Sequence, residues 1–144
     1  MSHFQDSFVA TSAAVRVRFG AGIRNSIAEE ITALGAKRAL ILSTPQQADT
    51  AQAFADLAGA LCVGTYTNAT MHTPVAISDD AAAHAMALGA DCIVAVGGGS
   101  TTGLGKAIAY RTDLPQIVIP TTYAGSEATS ILGQTENGRK TTLT

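Results

Sequence analysis

The chain has 144 residues, enough for one domain with a substantial core. At 47% hydrophobic and 14% charged, with a formal net charge of −2, it lacks the basic stripe by which nucleic acid or anionic membranes are bound. Met1–Asp6 shows no basic region leading into an apolar stretch, and no apolar run reaches the length of a membrane span. The expectation is therefore a cytoplasmic protein with no signal peptide and no membrane partner. His3, His72 and His84 form no H-x-x-x-H pair, so no metal site is expected in the chain. Cys62 and Cys92 each lie inside apolar runs and read as buried free thiols rather than a disulfide.

In chain order, Val15-Arg16-Val17-Arg18-Phe19 alternates strictly and reads as a half-exposed strand ending at Gly20-Ala21-Gly22. Ile23, Ile27, Ile31 and Leu34 recur at helical spacing, and Gly35 stops that helix. Residues 38–43 form a continuous apolar strand, of the kind buried on both faces of a parallel sheet. An alanine-rich helix over 46–58, a strand over 61–66 and a helix over 74–88 closed by Gly89 follow. A strand over 91–96, a glycine turn, a helix to Tyr110 and a strand over 116–119 complete the alternation. This order predicts an α/β domain with a parallel sheet and flanking helices. The tail differs: residues 130–135 and 139–142 flank Glu136-Asn137-Gly138, and Asn-Gly favours a type I′ hairpin.

Gly97-Gly98-Gly99-Ser100-Thr101-Thr102-Gly103-Leu104-Gly105-Lys106 is the stretch richest in chemistry. A strand breaking into three glycines and then a helix, with Ser100 as its expected N-cap, makes an anion site. Phosphate can approach backbone that bears no side chains, and the free N–H groups of the first helical turn point at it. The P-loop pattern fails, because Ser100 stands where its first glycine belongs and Ala107 follows Lys106. The G-x-G-x-x-G pattern fails at Thr102. Lys106, two turns into the helix, reads as a surface lysine.

A second motif follows the strand at 116–119: Pro120-Thr121-Thr122-Tyr123-Ala124-Gly125-Ser126-Glu127-Ala128-Thr129. GGGS paired with P-T-T-x-A-G-S-E-x-T resembles the iron-containing alcohol dehydrogenase superfamily. The resemblance runs from Phe19-Gly20-Ala21-Gly22 to Gly138-Arg139-Lys140. Alcohol dehydrogenases of that superfamily usually carry an aspartate where Gly103 stands, and a second motif one residue longer. GGGSTTGLGKA with PTTYAGSE looks like the maleylacetate reductase branch instead.

The resemblance implies a Rossmann-like NAD(P)-binding domain over 1–144, working as a homodimer in aromatic-compound breakdown. It also implies an all-helical second domain with divalent-metal ligands, of which this sequence contains nothing. The substrate implied is maleylacetate or a related dicarboxylate, reduced at its C=C bond. Gly98, Gly99 and Ser100 are expected to take the pyrophosphate, and Thr121 and Thr122 the adenosine and phosphate portion. Thr44, at a strand end where NAD-selective relatives carry an aspartate, offers a hydroxyl without charge, so both NADH and NADPH are expected. Lys140 aligns with a lysine reaching the cofactor ribose. His72 and Thr73 stand in a segment resembling the family's asparagine-proline cofactor loop, though the asparagine is missing. His72 is also a candidate to hold a substrate carboxylate. Two other readings stay open: a metal-dependent alcohol or glycerol dehydrogenase domain, and a stand-alone NAD(P)-binding module without catalysis.

Overall fold

Four apolar runs become one parallel sheet in the computed structural model, which describes residues 14–144. The reading of Met1–Asp6 and the residue His3 lie outside them. The strands are β1 (Ala39–Leu42), β2 (Cys62–Tyr66), β3 (Cys92–Gly97) and β4 (Gln116–Pro120), in the order β2-β1-β3-β4. Every residue of the two central strands β1 and β3 is buried, which is why both read as continuous hydrophobic runs.

Successive side chains leave a strand on opposite faces, so the sheet needs a cover on each. Ala39, Ile41, Val94 and Val96 pack with Ile27 and Ile31 of α1 (Ile27–Ala33) and Phe54 of α2 (Ala48–Ala58). Leu40, Leu42, Ile93 and Ala95 pack with Ala81 and Ala85 of α3 (Val75–Ala87) and with Leu104 and Ile108 of α4 (Gly99–Thr112). The result is the doubly wound α/β architecture expected from the alternation of elements.

Gly35 ends α1 as predicted: its N–H bonds the Thr32 carbonyl at 2.9 Å, and the Ala36 N–H bonds the Ile31 carbonyl at 3.1 Å. The tail forms the expected hairpin, β5 (Leu132–Glu136) paired antiparallel with β6 (Arg139–Leu143). Glu136 faces Arg139 across a two-residue loop in which Asn137 has φ 49° and Gly138 φ 74°, the left-handed pair of a type I′ turn. Cys62 and Cys92 are both free thiols, and burial pushes Cys92 up to about 12.

One predicted element is missing. Residues 15–19 form no strand, because no described strand runs beside them to complete a ladder. Arg16 and Arg18 are instead tied to α1, through Glu30 at 2.9 Å and Glu29 at 3.0 Å. Val15, Val17 and Phe19 are left exposed. Among the described residues no helix is long and apolar enough to cross a membrane.

Candidate functional site

The carboxyl ends of β1, β3 and β4 lie together, and the loops leaving them are cross-bonded. β3 runs into Gly98, and α4 begins at Gly99. The Thr102 N–H makes the first helical bond, to the Gly98 carbonyl at 3.1 Å. Gly99, Ser100 and Thr101 supply the N–H groups ahead of it, the donors a helix leaves without intrahelical partners. Gly98 is the N-cap, and no side chain bonds the helix end. Ser100 therefore sits inside the first turn rather than capping it, a correction to the sequence reading. With three glycines before it, the chain turns into the helix two residues earlier than a serine cap at 100 would have it.

The three glycines do different things. A Cβ on Gly97 would lie 2.6 Å from Thr101 Oγ1 and 2.7 Å from Gln47 Oε1. On Gly98 it would lie 3.0 Å from both Cγ2 and Oγ1 of Thr122. On Gly99 it would meet only the Ala124 Cβ, at an ordinary 3.6 Å. Packing alone thus demands glycine at 97 and crowds any side chain at 98, whereas Gly99 is bare on a side with room for a ligand.

Thr121 is bound into the same cluster. Its N–H donates to the Gly97 carbonyl at 3.0 Å, and its Oγ1 accepts from Gln47 Nε2 at 3.2 Å. Gln47 closes the turn Pro45–Gln47 that follows Thr44, and its N–H bonds the Thr44 carbonyl at 3.1 Å. Gln47 thus links half-buried Thr44, just past β1, to the exposed Thr121 at the glycine loop, where Thr122 also lies against Gly98. Gln47 was not singled out in the sequence: its role depends on a partner far along the chain.

The first turn of α4 also borders a cleft of about 250 Å³, where His72, Thr73, Gly99, Ser100 and Lys140 meet. The structure thus divides the predicted residues into two groups, with Gly98, Thr44, Thr121 and Thr122 outside this cleft. His72 and Thr73 both take left-handed conformations, φ 67° and 43°. Thr73 is buried, and its carbonyl accepts the Thr135 N–H of β5 at 3.1 Å, which anchors the hairpin. A Cβ on Gly103 would lie 2.5 Å from Thr73 Oγ1. So residue 103 is bare because the 72–73 turn rests on it, a steric reason for the glycine. Lys140 lies across the second bare backbone: a Cβ on Gly133 would be 2.7 Å from its Cε.

Lys106 corrects the sequence reading. It is not a free surface lysine: its ammonium donates to Ser126 Oγ at 3.1 Å, Thr129 Oγ1 at 3.1 Å and the Ile131 carbonyl at 2.9 Å. Burial lowers its pKa, and the Glu127 carboxylate opposes that shift.

Among the described residues no carboxylate lines the cleft, while a lysine and a helix N-terminus do. Such a site suits an anion. No cluster of three or more His, Cys, Asp or Glu side chains suited to a metal occurs among the described residues.

A doubly wound sheet with its glycine turn at the carboxyl edge defines the class: a Rossmann-like α/β domain. The sequence profile of the family described as iron-containing alcohol dehydrogenase matches residues 14–144, and the chain belongs to that family. It is 61% identical over 136 residues to a maleylacetate reductase of Rhizobium sp. strain MTP-10005, covering 94% of this chain and 39% of that protein. The crystal structure of maleylacetate reductase from Agrobacterium tumefaciens superimposes with a TM-score of 0.94 at 58% identity, over 96% of this chain and 40% of that one. A sulfoacetaldehyde reductase from Bifidobacterium kashiwanohense, solved in complex with NAD+, gives a TM-score of 0.84 at 25% identity, covering 95% and 43%. The chain therefore spans about two-fifths of the length of the maleylacetate reductases it matches.

Proposed function

We propose that this chain is the NAD(P)H-holding part of a maleylacetate reductase. One observation carries the reading: the open first turn of α4, Lys140 and His72 converge on a cleft without carboxylates. The named relatives supply the chemistry of the substrate. A dinucleotide fits these residues, because Gly99 has room where Gly97 and Gly98 do not, in a first turn whose N–H groups a helix leaves without intrahelical partners.

In this reading Gly98, Gly99 and Ser100 hold the pyrophosphate through backbone N–H groups. Thr44, Thr121 and Thr122, outside the cleft, hold the adenosine end. Thr73 and Lys140 take the ribose at the cleft, and His72 sits at its rim, within the segment offered to a substrate carboxylate. Thr44 carries no charge, so NADH and NADPH are both accepted. When bound, the reduced nicotinamide supplies the hydride that saturates the C=C bond of maleylacetate, a proton completing 3-oxoadipate. That reaction belongs to the breakdown of aromatic compounds, and the reading places it in a cytoplasmic homodimer.

The test is calorimetric titration of the full-length protein with NADH and NADPH, followed by assay of NADH oxidation with and without maleylacetate. Saturable binding and maleylacetate-dependent oxidation are expected. Oxidation of simple alcohols or glycerol that requires added iron or zinc, with none of maleylacetate reduced, would replace this reading by that of a metal-dependent dehydrogenase.

A further inference from the structure

We propose that Lys106 is a positioning residue that fixes one wall of the cleft from behind. An ammonium has three N–H donors, and here each has an acceptor: the hydroxyls of Ser126 and Thr129 and the carbonyl of Ile131. Two of these three residues, Ser126 and Ile131, line the cleft. Lys106 itself does not.

Beyond Thr121, which the Gly97 carbonyl and Gln47 hold, the segment Lys106 binds has few other ties among the described residues. Residues 121–131 include only one short turn of helix, Ser126–Ala128, bonded from Ala128 N–H to the Gly125 carbonyl at 3.1 Å. Apart from half-buried Ser126, all are exposed, Ile131 included. Within residues 14–144 the segment buries little apolar surface of its own, so the three bonds from Lys106 are its main tie to α4. Lys106 reaches it from α4, whose neighbouring residues Leu104, Gly105 and Ala107 are buried in the core. The lysine thus couples a rigid helix to a loose wall. Among the described residues no carboxylate lies within bonding distance of it; three neutral dipoles hold it, and the lowered pKa reflects its partial burial. Charge-assisted bonds of this kind are stronger than neutral ones.

Because Ser126 and Ile131 face the same space as Ser100 and Lys140, releasing them widens the cleft on the side where the proposed cofactor lies. The inference rests on the cofactor reading above, and its test separates the two. Lys106→Met keeps the stem and removes the donors; Lys106→Arg keeps donors of similar reach. In the full-length protein, two quantities are measured for each: NADH affinity, and the rate at which thermolysin cuts the segment before Ile131.

Lys106→Met is expected to weaken NADH about tenfold and to speed cleavage by a similar factor, the loss of roughly one net charge-assisted bond, with Lys106→Arg restoring much of both. Unchanged cleavage in Lys106→Met would overturn the clamp. Faster cleavage with unchanged NADH affinity would overturn its bearing on the site. Equal loss in both variants, with a lowered melting temperature, would reduce Lys106 to a folding requirement. Failure of the unmodified protein to bind NADH would instead defeat the cofactor reading, whatever the protease shows.

Discussion

Gly98 and Gly99 look interchangeable in the sequence and are not so in the structure. A side chain at 98 meets Thr122 at 3.0 Å before any ligand arrives, whereas one at 99 meets only Ala124 at 3.6 Å. Gly99→Val is therefore expected to fold and to lose NADH binding, because its methyls occupy the space above the free N–H groups. Calorimetry with the folded variant checks this, and retained binding would remove the pyrophosphate from this turn. Thr44→Asp tests the residues outside the cleft. Facing a ribose 2′-phosphate, a carboxylate there is expected to disfavour NADPH relative to NADH by about 1–3 kcal/mol. An unchanged ratio of the two affinities would show that residue 44 does not face the ribose. Both positions draw attention in the sequence because strand ends and glycines punctuate it visibly. Lys106 and Gln47 do not, since their partners lie tens of residues away and neither residue type advertises a buried role.

Elements were legible wherever burial imposes a period. The sheet strands declare themselves as apolar runs because helices cover both faces, and α1 ends at Gly35 because the chain there reverses into a Schellman motif. Val15–Phe19 misled for the opposite reason: alternation defines two faces, but a strand also needs a neighbour, and the described chain gives it only the ion pairs to α1. Ser100 misled because side-chain capping is a preference, which the glycine at 98 makes unnecessary. The hairpin was read correctly from Asn137-Gly138 alone, and its turn can be used to test its purpose. Gly138→Val places a β-branched residue at φ 74°, a cost of about 1–2 kcal/mol or more for a non-glycine left-handed residue. A lower melting temperature is expected, together with weaker NADH binding, since β6 carries Lys140 to the cleft. Weaker folding with undiminished NADH affinity would make the hairpin a stabilising flap rather than part of the site.

At the scale of the whole molecule, the cleft is built from a few neighbouring pieces: the first turn of α4, the 71–73 turn, the 126–131 segment and the hairpin. All of these stand at the carboxyl edge of one sheet or against it. Binding a dinucleotide asks only for such an edge. Hydride transfer asks for more, because donor and acceptor carbons must be held within about 3–3.5 Å, and that orientation is worth roughly 7–11 kcal/mol of the barrier. The maleylacetate reductases matched here have about three-fifths of their length beyond what this chain covers, room for a second wall. Purified residues 1–144 are therefore expected to bind NADH saturably while showing no maleylacetate-dependent oxidation of it. Fluorescence titration and a turnover assay on the same preparation check both halves. Binding without turnover would locate the cofactor machinery in these residues and the substrate's alignment outside them. Robust turnover would mean that His72 and Lys140 already hold the substrate against the nicotinamide, and that the cleft is a complete active site.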